Sequence, residues 1–525
     1  MAESAKYIAG LGLEELKALL VQALEENARL KAKNAELREE IARLKGLKGR
    51  PKLKPSGMEK AADAARSAGR KGSRGAKRTA CAIDETRILK PDSLPKGARF
   101  KGYEDFIVQD IVIAPRTVLY RRERWLLASG ETVVAALPKG VSSHFGPELK
   151  RFVLSQYHQG QVTIPRLTAQ LTGLGIAISK RQIVRLLSSK QEVFLKENME
   201  VLRAGLASAS WLTVDDTGAR HKAQNGFCTH IGNDRFAFFA TTGSKSRLNF
   251  LELLRAGRDD YVINEAALAY MREHKLPKAT IALFEGEEQR FAGREAFMAH
   301  LQKLGLTGLK VRPDPVQIGT EAALWGSVAG QGLLDGAVIV SDGAGQFRIA
   351  EHALCWVHAE RLIHKLDTFC EAHVQAKERI RARIWRLYNA LKAYRQTPTP
   401  RRASELKRRF EAIFSAETGF ATLDRLLARL RAQKDELLLV LKRPDIPLNT
   451  NGSENDIRCQ VTRRKISAGT RSDAGRDARD AFLGLMKTCA KQAISFWDYL
   501  GHRLGVLEAP TVPRLAALVP RHAED

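Results

Sequence analysis

The sequence predicts a multidomain α/β protein, and three observations support this fold class. The chain has 525 residues, of which 44% are hydrophobic, which is enough for several cores at about 100 to 200 residues per domain. Short β-rich runs between residues 211 and 241 lead into a helical pattern, and a buried type of strand follows at 337–340. Helical patterns dominate the segments before and after these strands. We therefore expect a sheet-containing core that is preceded and interrupted by helical segments.

The charge balance predicts a polyanionic partner. The chain has 86 Lys and Arg against 59 Asp and Glu, a net charge of +27, and double-stranded DNA is the leading candidate. No uncharged apolar run reaches the ~18 residues of a membrane helix, and the N-terminus lacks a signal-peptide pattern, so we expect no membrane partner and no secretion. The six cysteines form no CxxC pair, which favours a reducing cytoplasm.

Residues 1–45 are predicted to form a coiled-coil dimerisation helix. Apolar residues and two asparagines occupy the a and d positions of four to five heptads, and buried asparagines favour an aligned parallel pair. The alternative is a single surface helix that packs on its own domain. The heptad positions are Leu13, Leu16, Leu20, Ala23, Asn27, Leu30, Asn34, Leu37, Ile41 and Leu44.

Residues 46–80 are predicted to be a basic flexible tether. The stretch 45–80 contains twelve Lys or Arg and two acidic residues, and Gly, Pro, Ser and Ala fill much of the rest, so no core can form there. Arg50 and Lys52 could enter an A·T-rich minor groove, whose negative potential attracts basic side chains. A merely solvating linker is the alternative.

Two small modules are predicted between the tether and the core. Residues 81–140 are expected to form a small β-rich DNA-binding module, with strands at 106–113, 118–125 and 132–137. Residues 141–205 have a helix-turn-helix pattern, in which Ser179 caps the last helix of the motif. Plain helical packing is the alternative. The side chains expected to face DNA on that helix are Lys180, Arg181, Gln182 and Arg185.

Acidic residues stand where strands end or a helix begins. Asp215 and Asp216 end the first strand of the core, Asp342 follows the fourth, and Glu454 opens a helix. Adjacent first and fourth strands would bring these carboxylates together. Their repulsion would be relieved by Mg²⁺ or Mn²⁺, and two such ions support phosphodiester displacement. A turn or cap role remains the simpler reading of each position taken alone.

Four segments in this order resemble the bacterial DDE transposases of the insertion sequence 66 family. They are Trp211–Thr217, Val340–Gly345, Cys355–Arg361 and Asn451–Arg458. The resemblance implies an RNase H-like catalytic core and an acidic triad of Asp215, Asp342 and Glu454 that holds two Mg²⁺ or Mn²⁺ ions per active site. It also implies cleavage and joining of DNA strands at terminal inverted repeats and target DNA by a nucleoid-associated homodimer or larger homo-oligomer. Accessory proteins of the same element are further candidate partners.

Within this resemblance, the core is expected to span residues 206–370 and 444–505. A subdomain is inserted at about 259–334, a basic helical insertion with net charge +10 occupies 371–443, and 506–525 form a C-terminal tail. Members of the family usually carry a Cys-rich metal-binding ribbon near the N-terminus. This region has Cys81 alone, so no zinc is predicted.

Several positions near the triad have more than one interpretation. Strand alternation allows only one of Asp215 and Asp216 to face the site, and the resemblance favours Asp215. His358 is interpreted as a residue supporting the triad or as a core histidine. Arg458 could orient Glu454, bind a phosphate or form an ordinary i,i+4 ion pair. The nearby basic residues expected to contact backbone phosphates are Arg463, Arg464, Lys465 and Arg471.

Two rival functions remain open from the sequence. One is a non-catalytic dimeric DNA-binding regulator with a degenerate RNase H-like domain, against which the complete set of acidic residues argues. The other is an RNase H-like nuclease, which would have little need for a helix that pairs two copies.

Overall fold

The structure is a computed structural model that describes residues 12, 83–138, 141 and 143–520. The chain divides into two units, residues 1–109 and 110–525. In the described stretch 83–109 of the first unit the backbone forms neither helix nor strand, and the side chains are exposed. The predicted heptad positions and the tether, including Arg50 and Lys52, lie outside the described residues.

The predicted three-stranded module is reduced to one short hairpin. Strands β1 (Arg124–Leu126) and β2 (Thr132–Val134) pair in antiparallel fashion, and no strand forms at 106–113. The prediction of three strands was therefore wrong. All six hairpin residues are exposed, so no buried face stabilises a longer or wider sheet.

Four helices follow the hairpin, and the helical prediction for this region is confirmed. They are α1 (Pro147–His158), α2 (Ile164–Gly173), α3 (Lys180–Ser188) and α4 (Glu192–Ser208). Ser179 caps α3 as predicted, because its hydroxyl accepts a hydrogen bond from the backbone N–H of Gln182. Leu154, Leu167 and Ile183 are fully buried where the first three helices meet.

The central sheet begins with a three-strand meander and a helix, as expected. These elements are β3 (Trp211–His221), β4 (Gln224–Gly232), β5 (Ala237–Thr242) and α5 (Arg247–Leu254). The three strands pair in antiparallel fashion in chain order. Strand β3 continues past Asp215 to His221, because its second half pairs with β4 through a tight hairpin.

A small α/β subdomain interrupts the chain after α5. It comprises β6 (Tyr261–Ile263), α6 (Glu265–Glu273), α7 (Lys278–Ala282), β7 (Gln289–Phe291), α8 (Gly293–Lys303) and α9 (Pro315–Ala329). Strands β6 and β7 pair with each other and not with the central sheet. Helix α9 is buried on most sides, but no described helix is long and apolar enough to cross a membrane.

Two parallel strands complete the central sheet. They are β8 (Val338–Ser341) and β9 (Glu351–Leu354). The strand order is β5-β4-β3-β8-β9, in which β8 runs parallel to both β3 and β9. The first and fourth strands of the core are thus neighbours, as the sequence predicts.

A run of helices follows the sheet, and its hydrophobic core includes Val340 of β8 and Leu354 of β9. Its elements are α10 (Trp356–His364), α11 (Glu371–Gln396), α12 (Pro400–Phe414), α13 (Ala421–Ala432) and α14 (Lys434–Leu437). The buried Trp356 lies near Phe410 and Phe414, and its indole N–H donates to the carbonyl of Leu437 at 2.8 Å. The helical prediction for this segment is confirmed.

The chain then returns to the sheet. The last helices are α15 (Asn451–Ser467), α16 (Asp473–Lys491), α17 (Phe496–Leu504) and α18 (Leu515–Leu518). Helix α16 packs against β5 and α4. The segment assigned to a tail is ordered structure up to residue 520, since Leu515 is fully buried and its N–H donates to the carboxylate of Glu197 at 3.1 Å.

Candidate active site

The parallel register between β3 and β8 brings Asp215 next to Asp342. Thr213 pairs with Val340, so the aspartates two residues further along each chain lie side by side. The sequence placed Asp215 at the end of its strand, whereas the structure places it inside β3, opposite His230 of β4. It lies two residues beyond Thr213, the last residue of β3 that pairs with β8.

The surroundings of Asp215 disfavour the charged form of its side chain. Burial raises the pKa of Asp215 to about 6, and the negative charges of Asp342 and Asp216 act in the same direction. The backbone N–H of Asp216 donates to Asp215 Oδ1 at 2.8 Å and partly opposes this shift. The two neighbouring carboxylates therefore repel each other across a site that a cation would stabilise.

Asp216 points to the opposite face of β3, as strand alternation predicts. Its side chain forms an ion pair with Lys245 and accepts a hydrogen bond from the amide of Gln346 at 2.9 Å. Because its carboxylate is engaged on the far side of the strand, Asp216 does not join Asp215 and Asp342.

Glu454 is presented by the first turn of α15. The preceding residue, Ser453, is buried and donates its hydroxyl hydrogen bond to Thr213 Oγ1 at 2.6 Å. This contact fixes the start of the helix two residues before Asp215 on β3. The backbone N–H of Trp356 also donates to the carbonyl of Leu448 at 2.9 Å, which holds the approach to α15 against α10.

Two basic side chains of α10 contact the Glu454 carboxylate. His358 Nε2 lies 3.4 Å from Glu454 Oε1, and Arg361 Nη2 lies 3.3 Å from the same oxygen. The positive charge of His358 also acts on Asp215. His358 therefore contacts Glu454 and is close enough to Asp215 for its charge to act on that carboxylate too.

A buried thiol favours the charged form of His358. The hydrogen bond with Cys355 raises the pKa of His358. Burial alone would raise the pKa of the Cys355 thiol, but the hydrogen bond and charge of His358 hold it below its usual value. Thr450 Oγ1 lies 3.4 Å from His358 Nδ1 and donates to Cys355 Sγ at 3.5 Å, so it contacts both partners of this hydrogen bond.

Arg361 is a site residue that the sequence did not predict. Arg361 follows His358 by three residues, so the two side chains share a helix face, and this spacing was the available signal. The contact with Glu454 depends on α10 and α15 coming together across 93 residues of chain, which the sequence does not reveal.

The acidic residues match a divalent cation in ligand type. Carboxylate oxygens are the ligands that Mg²⁺ and Mn²⁺ prefer, and Asp215 and Asp342 already repel each other. Among the residues that the structure describes, however, no three His, Cys, Asp or Glu side chains are arranged as a metal site. Glu454 contacts Arg361 and His358, and a cation would have to replace these contacts.

A family model described as "Transposase IS66 family" matches residues 142–247 and 326–478. An uncharacterized protein of Sinorhizobium fredii, y4jO, is 50% identical over 324 residues, which are 62% of this chain and 100% of that protein. The chain belongs to the IS66 transposase family. The first matched segment contains Asp215, and the second contains Asp342 and Glu454. The gap between them falls on the subdomain that interrupts the sheet.

In this IS66-family transposase, helix α3 presents most of its predicted DNA-facing residues to solvent. Lys180, Arg181 and Arg185 are exposed. Gln182 is half-buried, and its Oε1 accepts hydrogen bonds from the backbone N–H and the hydroxyl of Ser179 at 2.8 and 2.9 Å. The side-chain carbonyl oxygen of Gln182 is therefore already engaged in capping α3.

The basic residues around α15 of the transposase divide into two groups. Arg458, Lys465 and Arg471 are exposed, whereas Arg464 donates a hydrogen bond to the carbonyl of Gly218. Among the described residues Arg458 forms no ion pair with Glu454, so the i,i+4 pair considered from the sequence is not present.

Arg463 does not fit the phosphate contact expected for it. Only 6% of the residue is exposed, and its guanidinium lies 4.1 Å from the centre of the Tyr157 ring. The Arg463 side chain points from α15 towards α1, so its guanidinium is buried between these two packed helices and does not reach the surface.

Proposed function

We propose that this transposase is a DDE enzyme in which Asp215, Asp342 and Glu454 form the catalytic acidic triad. It would cleave and join DNA strands at the inverted-repeat ends of a bacterial insertion sequence. The observation that carries the proposal is the β3–β8 register, which sets Asp215 against Asp342 and leaves Glu454 within reach through His358.

The sheet supports an RNase H-like core. Three antiparallel strands are followed, after a helix, by strands parallel to the first, in the order β5-β4-β3-β8-β9. Such a core holds its acidic residues on the first strand, after the fourth strand and on a later helix. The two insertions leave this arrangement intact, because long connections between elements cost little additional free energy.

Asp215, Asp342 and Glu454 would hold the divalent metal ions. When bound, two Mg²⁺ or Mn²⁺ ions would activate a water or a 3′-hydroxyl and stabilise the leaving oxygen. Asp215 and Asp342 supply the neighbouring negative charges that favour these cations. His358 and Arg361 contact Glu454, and their positive charge is suited to a nearby phosphodiester.

Double-stranded DNA would be held by separate basic surfaces. Helix α3 offers Lys180, Arg181 and Arg185 for the terminal repeats, and the helical insertion 371–443 carries a net charge of +10. A homodimer or larger homo-oligomer, paired through residues 1–45, would bring two DNA ends together.

The test is the replacement of each acidic residue by its amide. Asp215→Asn, Asp342→Asn and Glu454→Gln should abolish Mg²⁺-dependent cleavage and joining of a terminal-repeat duplex, while DNA binding and thermal stability stay near the parent's values. Asp216→Asn is the matched control and should have a milder effect, because this carboxylate lies on the other face of β3. Substantial joining by the Asp342 or Glu454 variant would contradict the triad and favour the regulator alternative.

A further inference from the structure

The inserted subdomain contains a cavity that the acidic site does not use. Its volume is about 680 Å³, within the usual range of about 300 to 1,000 Å³ for small-ligand sites. It lies between α5, the end of α6 and the connection that leads from α8 into α9. The family match skips residues 248–325, so most of this cavity belongs to the part of the chain that the match leaves out.

The side chains that line the cavity include basic groups that are not neutralised by ion pairs with described residues. Lys310 and Arg312 line it, are exposed, and form no ion pair with any described residue. Of the two carboxylates in the wall, Glu321 is paired with Arg247, whereas Asp314 is exposed, so the lining keeps one positive charge in excess. Asp314 accepts hydrogen bonds from the first turn of α9, and the buried Glu321 accepts from the Tyr270 hydroxyl at 2.8 Å.

One wall of the cavity is a flat ring held in a fixed orientation. The His274 imidazole lines the cavity and stacks on Tyr270, with ring centroids 4.0 Å apart. Arg247 Nη1 donates to His274 Nε2 at 2.7 Å, while His274 Nδ1 lies 3.0 Å from the carbonyl of Tyr270. Nearby, Leu309 and Val311 expose 48% and 52% of their surface, so apolar surface accompanies the ring.

Arg247 connects this cavity to the acidic site. Its Nη2 donates to the carbonyl of Gly345 at 2.7 Å, in the loop directly after Asp342. In the same loop, Gln346 donates to Asp216. A ligand in the cavity would therefore lie next to the loop that carries one of the proposed catalytic aspartates.

We propose that this cavity binds an unpaired nucleotide of the DNA strand, an inference that rests on the proposed function. Lys310 and Arg312 would contact the phosphate, and the base would lie against His274 and the apolar side chains. Base stacking combined with basic groups is the usual way to bind single strands. A duplex cannot place a base in a concave site without unpairing it, so the occupant is an unpaired residue and not paired DNA.

The experiment compares two charge-reversal variants of the full chain. Lys310→Glu with Arg312→Glu changes the cavity, and Arg294→Glu with Lys303→Glu changes two exposed residues of the same subdomain outside it. Binding of labelled oligothymidylate and of an abasic strand of equal length is measured by fluorescence anisotropy in EDTA, where no cleavage occurs. The cavity variant should bind oligothymidylate about tenfold more weakly than the control variant.

The base contribution is the second readout. The parent should prefer oligothymidylate to the abasic strand about fivefold or more, and the cavity variant should lose this preference. Equal losses in both variants, or equal binding of both strands by the parent, would overturn the inference. Lys310→Gln with Arg312→Gln repeats the test without new negative charge. Because this assay measures binding without catalysis, a failure of the cleavage experiment would contradict the proposed function but not this inference.

Discussion

Arg361 Nη2 lies 3.3 Å from Glu454 Oε1, so a cationic side chain holds the third acidic residue of the candidate site. A metal ion that binds Glu454 must compete with this contact. Arg361→Gln should therefore lower the Mg²⁺ concentration for half-maximal cleavage by about two- to fivefold, as expected for a partly exposed ion pair. A Mg²⁺ titration of cleavage measures this. A higher Mg²⁺ requirement would mean that Arg361 is needed to position the carboxylate.

The two central residues at the start of α3 should respond differently to truncation. Gln182 completes the capping box with Ser179, so Gln182→Ala should lower the free energy of unfolding by about 0.5–1 kcal/mol. Arg181 is exposed, and Arg181→Ala should weaken binding to the terminal repeat by about 1–3 kcal/mol but change binding to random DNA little. Paired binding and urea-unfolding measurements distinguish the two. An equal loss on both DNAs would make Arg181 a backbone contact.

Asp456 should make the fold sensitive to acid. Its Oδ2 lies 2.9 Å from Lys491 Nζ and 3.4 Å from His230 Nε2. Burial alone would raise the pKa of Asp456, but these neighbours lower it to about 2. A folded-state pKa below the unfolded value stabilises the protein above about pH 4, and this contribution is lost as the pH falls towards 2.

Asp456→Asn should accordingly cost about 2 kcal/mol of unfolding free energy at pH 7, and the difference should shrink as the pH falls from 4 to 2. Urea unfolding across this pH range measures it. Asp473→Asn is the control, since Asp473 also has a pKa of about 2 but is exposed, and solvent screening should leave it a small effect. A constant difference between parent and Asp456→Asn at all pH values would contradict the assignment.

The heptads of residues 1–45 predict that this segment controls assembly. Deleting it should lower the oligomeric state without unfolding the rest, because a coiled coil on a flexible tether shares no core with other domains. Light scattering at micromolar concentration provides the mass. An unchanged mass would favour the alternative of a helix packed on its own domain.

The charge of residues 46–80 predicts sequence-independent DNA binding. Removing them should weaken binding to all duplexes alike and flatten its salt dependence, because fewer counterions are released. Affinities measured at several salt concentrations for a terminal repeat and a random duplex test this. Identical salt slopes with and without the segment would exclude the tether's role.

Local pattern determined much of the secondary structure. Ser179 was recognisable as a cap, and the helices from Pro147 to Ser188 follow from apolar spacing that repeats with the helical period. The same reasoning failed for the strand expected at 106–113, and the two strands expected at 118–125 and 132–137 are reduced to three residues each. Alternating apolar residues indicate a strand only if another surface buries one face, and the hairpin has none.

The sequence by itself identified the acidic residues and their order, since Asp215, Asp342 and Glu454 belong to segments whose residue types and spacing are local properties. The sequence also predicted that the first and fourth strands are neighbours, but only tertiary structure decided the register that sets Asp215 against Asp342 and the side chains that contact Glu454. The neighbours in question lie far apart in the chain, 127 residues between the two aspartates and 93 between Arg361 and Glu454. Contacts over such separations depend on strand register and helix packing, which no local pattern encodes.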